Sequence, residues 1–190
     1  SVLHRYIEKN KEFGWENTAV EKRIAKLPGS ANHCGGEIKI CPKNLETVKY
    51  LNFEDFIKDR HSIRHFSSEP VDMKLLYDAI GLAQFTPSAC NRQGWKCHII
   101  DKKGNINEVL RNQNGNKGFG EEIDKLLLVT ADLCYFNKNR EVYQPYIDGG
   151  MYASNILHAL HFYGIGSIPL SASLSMQQEK NIRNLLNITD

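Results

Sequence analysis

The sequence predicts an α+β fold with a small central sheet surrounded by helices, and three observations lead there. Residues 95–100, Trp-Lys-Cys-His-Ile-Ile, read as a strand, and residues 126–131, Leu-Leu-Leu-Val-Thr-Ala, form a short apolar run suited to a strand buried on both faces. Residues 143–163 carry apolar side chains at helical spacing and make the longest helix. Helical and strand patterns mix without the strict alternation of a parallel α/β chain. There is no internal repeat and no low-complexity tract.

Taken in order, residues 2–26 are rich in Glu, Lys and Arg with scattered apolar positions, which predicts one or two surface helices. Pro28-Gly29-Ser30 and Cys34-Gly35-Gly36 break any helix there, and 37–41 predicts a short extended piece before Pro42. Residues 1–50 are therefore expected to be an extension that packs on the domain or on a partner subunit, and 51–190 to be the domain itself. Phe53-Glu54-Asp55-Phe56-Ile57 reads as a short helix. Asp72 is placed to cap a helix whose Leu75, Leu76, Ala79, Ile80 and Ala83 share a face, and Pro87 ends it near Thr86. A short helix is expected at 105–113. In the long helix, Ile147, Ala153, Ile156, Leu157 and Leu160 are the expected buried stripe, and Gly149-Gly150 suggests close backbone packing at about 1 kcal/mol per Gly in lost propensity. Gly164-Ile165-Gly166 stops that helix. Ser175 with Gln178 fits a capping box that opens a last helix through Ile182, Leu185 and Leu186.

The bulk numbers bound the function class. With 190 residues, 41% hydrophobic and 24% charged, the chain has ordinary globular composition and enough length for one sizeable core. A net charge of +2 is too mild to argue for nucleic acid or a membrane surface, so any anion site must be local. Cys34/Cys41 and Cys90/Cys97 lack the spacing of a zinc knuckle or redox dithiol, and together with Cys134 they read as reduced thiols. His33 beside Cys34 has no second pair to complete a metal site, so no metal is expected. No apolar run reaches the ~18–20 residues of a membrane span. The start lacks the layout of a secretory signal and lacks Met, which fits a trimmed or processed chain in the cytoplasm.

The chemistry is narrowed first by what is missing. No glycine-rich turn joins a strand to a helix as dinucleotide and P-loop sites require, and neither G-x-S-x-G nor H-E-x-x-H occurs. Arg60-His61-Ser62-Ile63-Arg64 offers a different anchor. If extended, it puts Arg60, Ser62 and Arg64 on one side, where two guanidinium groups and a hydroxyl suit a phosphate; a solvated basic turn is the plainer alternative. Pro87-Ser88-Ala89-Cys90-Asn91-Arg92-Gln93-Gly94-Trp95 places Ser, Asn and Gln in a loop between a helix end and a strand, able to read the polar edge of a ring.

The run R-H-S-I-R-H-F, then T-P-S-A-C-N-R-Q-G-W, then D-G-G…N-I-L-H-A-L…G-I-G-S-I-P-L resembles the nitroreductase family, in the family's order and spacing over about residues 53–188. The resemblance implies a nitroreductase-like homodimer with FMN at the subunit interface. It implies that Arg60, His61, Ser62 and Arg64 bind the flavin, with Arg64 as electrostatic support near its N1/O2 edge. Pro87, Ser88, Asn91 and Gln93 would reach the same flavin from the neighbouring subunit. Pro169, Leu170 and Ser171 would lie along the isoalloxazine ring, and Asn116 is a further candidate contact. The implied activity is an FMN-dependent oxidoreductase, with NAD(P)H as donor and a nitroaromatic, quinone or similar small acceptor, turning over by ping-pong. No side chain is assigned as a catalytic acid or base, because hydride passes through flavin N5.

Two departures qualify that expectation. Family members usually continue past the last helix into a tail with basic residues, whereas this sequence ends at Asp190, so the C-terminus is trimmed or fewer cations hold the phosphate. Many relatives have an acidic residue after the proline of the final loop, where Leu170 and Ser171 stand here. The alternatives are a family flavoenzyme acting on a peptide or sugar-linked substrate, and a flavin-free scaffold. His158 and His161 read as satisfied helix histidines, Tyr135-Phe136 and Phe162-Tyr163 as packing, and Asn187-Ile188-Thr189 as an unused glycosylation pattern.

Overall fold

In the computed structural model, which describes residues 2–14, 18–24 and 52–188, residues 1–51 and 52–190 separate into two units. The first contains α1 (Val2–Glu12) and α2 (Thr18–Ile24). Lys11 pairs with Glu21 between these helices at 3.3 Å. Cys34, Cys41, His33, the predicted breaks at 28–36, the extended piece at 37–41 and Thr189 lie outside the described residues.

In the second unit, α3 (Phe53–Asp59) is capped by Asn52, whose side chain accepts from the Asp55 N–H. Asp72 caps α4 (Met73–Ala83) through the Lys74 N–H, and Leu76, Ala79 and Ala83 form its buried face. Next come β1 (Trp95–Ile100), α5 (Lys103–Asn112), β2 (Leu126–Ala131), α6 (Gln144–Phe162) and α7 (Met176–Leu186). The two strands pair antiparallel, with Trp95 opposite Ala131 and Ile100 opposite Leu126.

Strand alternation then divides the core in two. Trp95, Cys97, Ile99, Leu127 and Val129 join α4 and α6, where Leu76, Tyr152, Ile156 and Leu160 are buried. Ile100, Leu126 and Leu128 join α5 and α7, around Ile106, Val109, Leu110 and Ile182. Helices therefore cover both faces of a narrow sheet. Tyr152 is 0% exposed and stacks on Trp95 with ring centroids 4.7 Å apart. Full burial of one such side chain stabilises by roughly 1.5–3 kcal/mol.

Helix ends follow the sequence signals where a side chain supplies them. Ser175 and Gln178 make both bonds of the capping box. At the end of α6, Gly164 takes φ +72°, and the N–H groups of Gly164 and Ile165 bond to the carbonyls of His161 and Leu160, a Schellman closure. No helix among the described residues is long and apolar enough to cross a membrane.

Four expectations are corrected. The helix expected at 105–113 starts at Lys103, because Lys102 caps it without a side-chain bond and so leaves no sequence signal. The buried stripe of α6 is Pro145, Asp148, Tyr152, Ile156, Ala159 and Leu160, while Ile147 is 51% exposed and Ala153 and Leu157 are only half-buried. Tyr152 against Trp95 and the bonded Asp148 set the phase of this helix, and apolar counting ranks neither. Gly149 and Gly150 meet no close neighbour among the described residues, with nothing of theirs within 4 Å of a Cβ built on either. Finally, β2 has a core on each face, yet all six of its residues are only half-buried, since the sheet is two strands wide.

Candidate functional site

The chain leaves α3 at Arg60, whose backbone is extended at φ −73°, ψ 113°. The Ile63 N–H donates to the Ser167 carbonyl at 3.0 Å, and a Cβ at Gly166 would stand 3.4 Å from Ile63 Cγ2. This joins the Arg60–Arg64 segment to the turn after α6. Arg60 and Ser62 are half-buried, and His61 and Arg64 are exposed. The Arg60 Nη1 is buried and has no hydrogen-bond partner among the described residues. A buried, charged donor left unpaired is costly, so this nitrogen is suited to an anion from outside the chain. Arg60 also lies near His158, whose pKa burial lowers first and the guanidinium charge lowers further. The Phe56 ring covers His158 and His161 at 6.2 and 5.0 Å.

The same turn carries the second set of predicted residues. Leu170 turns its side chain into the α5–α7 core, Pro169 is exposed, and the Ser171 carbonyl accepts from Gln113 Nε2 at 2.9 Å. Asn116 lies next to this contact in sequence, but its amide is spent within its own loop, on the carbonyls of Leu110 and Gln113 at 2.8 and 2.9 Å. Residues 60–64, 166–171 and 113–116 are thus linked to one another.

The loop 87–93 is anchored elsewhere, on α4 and the first half of α6. Pro87, Asn91 and Gln93 line a recess of ≈ 380 Å³ with Gln84, Phe85 and Thr86, and Phe85 is 87% exposed at its edge. Ser88 Oγ accepts from the Gln93 N–H at 2.9 Å, and Gln93 Nε2 donates to the Gln84 carbonyl at 2.8 Å. The Gln84 side chain bonds to Trp95 Nε1 and the Tyr152 hydroxyl. Among the described residues, no hydrogen bond or ion pair ties this loop to the Arg60 segment.

A model of the nitroreductase family matches residues 57–132, which spans the Arg60 segment, the recess loop and both strands. Over those residues the chain is similar to the nitroreductase family. A chloronitrobenzene nitroreductase of Comamonas testosteroni is 36% identical over 47 residues, 25% of this chain and 21% of that protein. A Streptococcus pyogenes protein named as an NAD(P)H nitroreductase is 40% identical over 53 residues, 28% of this chain and 26% of that protein. The matched segment thus spans about a fifth to a quarter of these curated relatives. Among solved structures, an FMN-dependent nitroreductase of Clostridium difficile superposes with a TM-score of 0.61 at 23% identity, covering 71% of this chain and 78% of that one. The nitroreductase fold is therefore present over most of the chain.

Sequence reasoning did not single out the residues that hold the recess loop. Arg92 forms a two-pronged ion pair with Glu141 at 2.9 and 2.7 Å, and its guanidinium lies 5.0 Å from the Phe136 ring centre. The bond to Arg92, with a second from the Asn137 N–H, holds the Glu141 carboxyl at about 2. Asp148, 2% exposed on α6, accepts from the Ala89 N–H at 3.3 Å and from Gln144 Nε2 at 2.7 Å. Arg92 and Asp148 both lay within the quoted motifs, so a signal existed. Glu141 had none.

Proposed function

We propose that the chain binds FMN and works as a two-electron oxidoreductase, accepting electrons from NAD(P)H and passing them to a small organic acceptor such as a nitroaromatic or a quinone. The observation that carries this reading is the unpartnered, buried Nη1 of Arg60 beside Ser62 and Arg64. A phosphate monoester would satisfy it with a charge-assisted bond. FMN, when bound, supplies the hydride exchange that no side chain of this protein offers.

The chain's own residues bind and orient. Arg60 and Ser62, with His61 alongside, take the phosphate side, and Arg64 presents an exposed cation towards the electron-rich edge of the ring. Pro169, Leu170 and Ser171 form a wall, rigid because Leu170 is rooted in the core. The loop 87–93 serves the flavin of a second copy, which accounts for its separation from the Arg60 segment. Exposed Tyr143, Tyr146, Ile147 and Met151 on and beside α6, next to the open Gly149 and Gly150, support such a homodimer.

The test is an absorbance spectrum of the purified protein with added FMN, followed by anaerobic NADH or NADPH. A bound flavin band that bleaches with nicotinamide is the expected result. A protein that leaves FMN free in solution would overturn the reading.

A further inference from the structure

Cys90, Asn91 and Gln93 have φ of 52°, 51° and 51°, three non-glycine residues in left-handed backbone within four positions. That region crowds the Cβ of an ordinary residue against its backbone, so the loop needs bonds that enforce it. Those bonds are present. Ser88 Oγ takes the Gln93 N–H at 2.9 Å, Gln93 Nε2 holds the Gln84 carbonyl at 2.8 Å, and Arg92 Nε closes on the Ala89 carbonyl at 3.0 Å. The rest of the Arg92 guanidinium is locked on Glu141 at 2.9 and 2.7 Å. Ser88, Arg92 and Gln93 are thus all committed to the loop. The Asn91 carboxamide is not: it bonds to no described residue and stands exposed on the wall of the recess.

We infer that the Arg92–Glu141 pair is a latch that sets the strained loop so that the Asn91 carboxamide reads the polar edge of the bound flavin. Arg92 and Glu141 are then positioning residues for cofactor binding, and Ser88 and Gln93 shape the loop. The inference rests on the FMN reading above. An amide matches that edge chemically, because it offers a donor and an acceptor side by side, as a pyrimidine-like ring edge does. The latch contributes by removing the loop's alternative conformations before the ligand arrives.

The test is a double-mutant cycle read by FMN dissociation constants from flavin fluorescence quenching, on full-length protein whose folding is checked by circular dichroism. Asn91→Ala should weaken FMN about tenfold, the loss of one hydrogen bond. Glu141→Ala should weaken it by a similar factor, Arg92→Lys should follow Glu141→Ala, and Glu141→Asp should restore part of the loss. The double variant Asn91→Ala/Glu141→Ala should bind no more weakly than Asn91→Ala alone, because a latch that acts through Asn91 has nothing left to position. Hydrogen exchange at the Gln93 amide should quicken in flavin-free Glu141→Ala. Losses that multiply in the double variant, or wild-type affinity in Glu141→Ala, would overturn the latch while leaving the FMN reading intact. A wild-type protein that binds no FMN would remove both.

Discussion

Arg60 sets stability against binding, and Arg60→Met separates the two. In the flavin-free chain its Nη1 is buried without a partner among the described residues. A buried donor left unmade costs about 1–3 kcal/mol, and an apolar side chain of similar length removes that cost while keeping the packing of the stem. Arg60→Met should therefore leave flavin-free stability unchanged or raise it by up to about 2 kcal/mol, read as the urea midpoint at constant slope. In FMN the sign reverses. Losing a charge-assisted hydrogen bond worth about 1.5–3 kcal/mol should weaken FMN roughly 10- to 150-fold. Two measurements on one pair of proteins thus move in opposite directions. A flavin-free Arg60→Met protein that is clearly destabilised, with an unchanged FMN dissociation constant, would refute the argument and make Arg60 a structural residue.

The remaining predictions concern the scaffold. Tyr152→Phe leaves the Trp95 stack but strips the hydroxyl that accepts from Gln84 Nε2 at 2.7 Å, and should cost about 1–2 kcal/mol in chemical denaturation. Gly94→Ala should be more damaging than most Gly→Ala changes, because its Cβ would stand 3.0 Å from Phe136 Cε2; the expected result is a lowered melting temperature with a shifted near-UV spectrum. Gly164→Ala meets no atom and should cost only the left-handed backbone term, about 1–2 kcal/mol, in the same melt. Glu141 titrates at about 2 in the folded chain against an ordinary 4.5, so its contribution to stability is complete above pH 4.5 and is lost as pH falls towards 2. Glu141→Gln should flatten the pH dependence of unfolding in that window and leave it unaltered at pH 7.

Much of this architecture was legible because it rests on local signals. The two strands were bounded correctly from composition and length, and Asp72, Ser175 and Gln178 announced their helix starts because each makes a bond within three residues of itself. The phase of α6 was misread for a physical reason. Its buried face is carried by Asp148 and Tyr152, whose burial depends on Ala89 and Trp95, contacts 59 and 57 positions away in sequence. The site divided along the same line. Arg60, Ser62 and Arg64 could be grouped by strand alternation, whereas the free Nη1 that gives Arg60 its meaning depends on everything packed around it. Likewise Asn91 was nameable from the loop, but the pairing of Arg92 with Glu141 across 49 residues was not.

Gln84 has a consequence for how this protein can change over evolutionary time. Its side chain accepts from Trp95 and donates to Tyr152, while its backbone carbonyl accepts from Gln93. Three positions, at a helix end, on a strand and on a second helix, therefore share a single side-chain amide, and none can be exchanged without leaving another with an unmade bond. Single replacements at Gln84, Trp95 or Tyr152 should each score as harmful in a mutational library, while chosen pairs among them should recover. Selection for a reshaped recess would have to travel through those paired changes, so Phe85, exposed at the rim and outside the shared amide, is the position where the recess can vary freely.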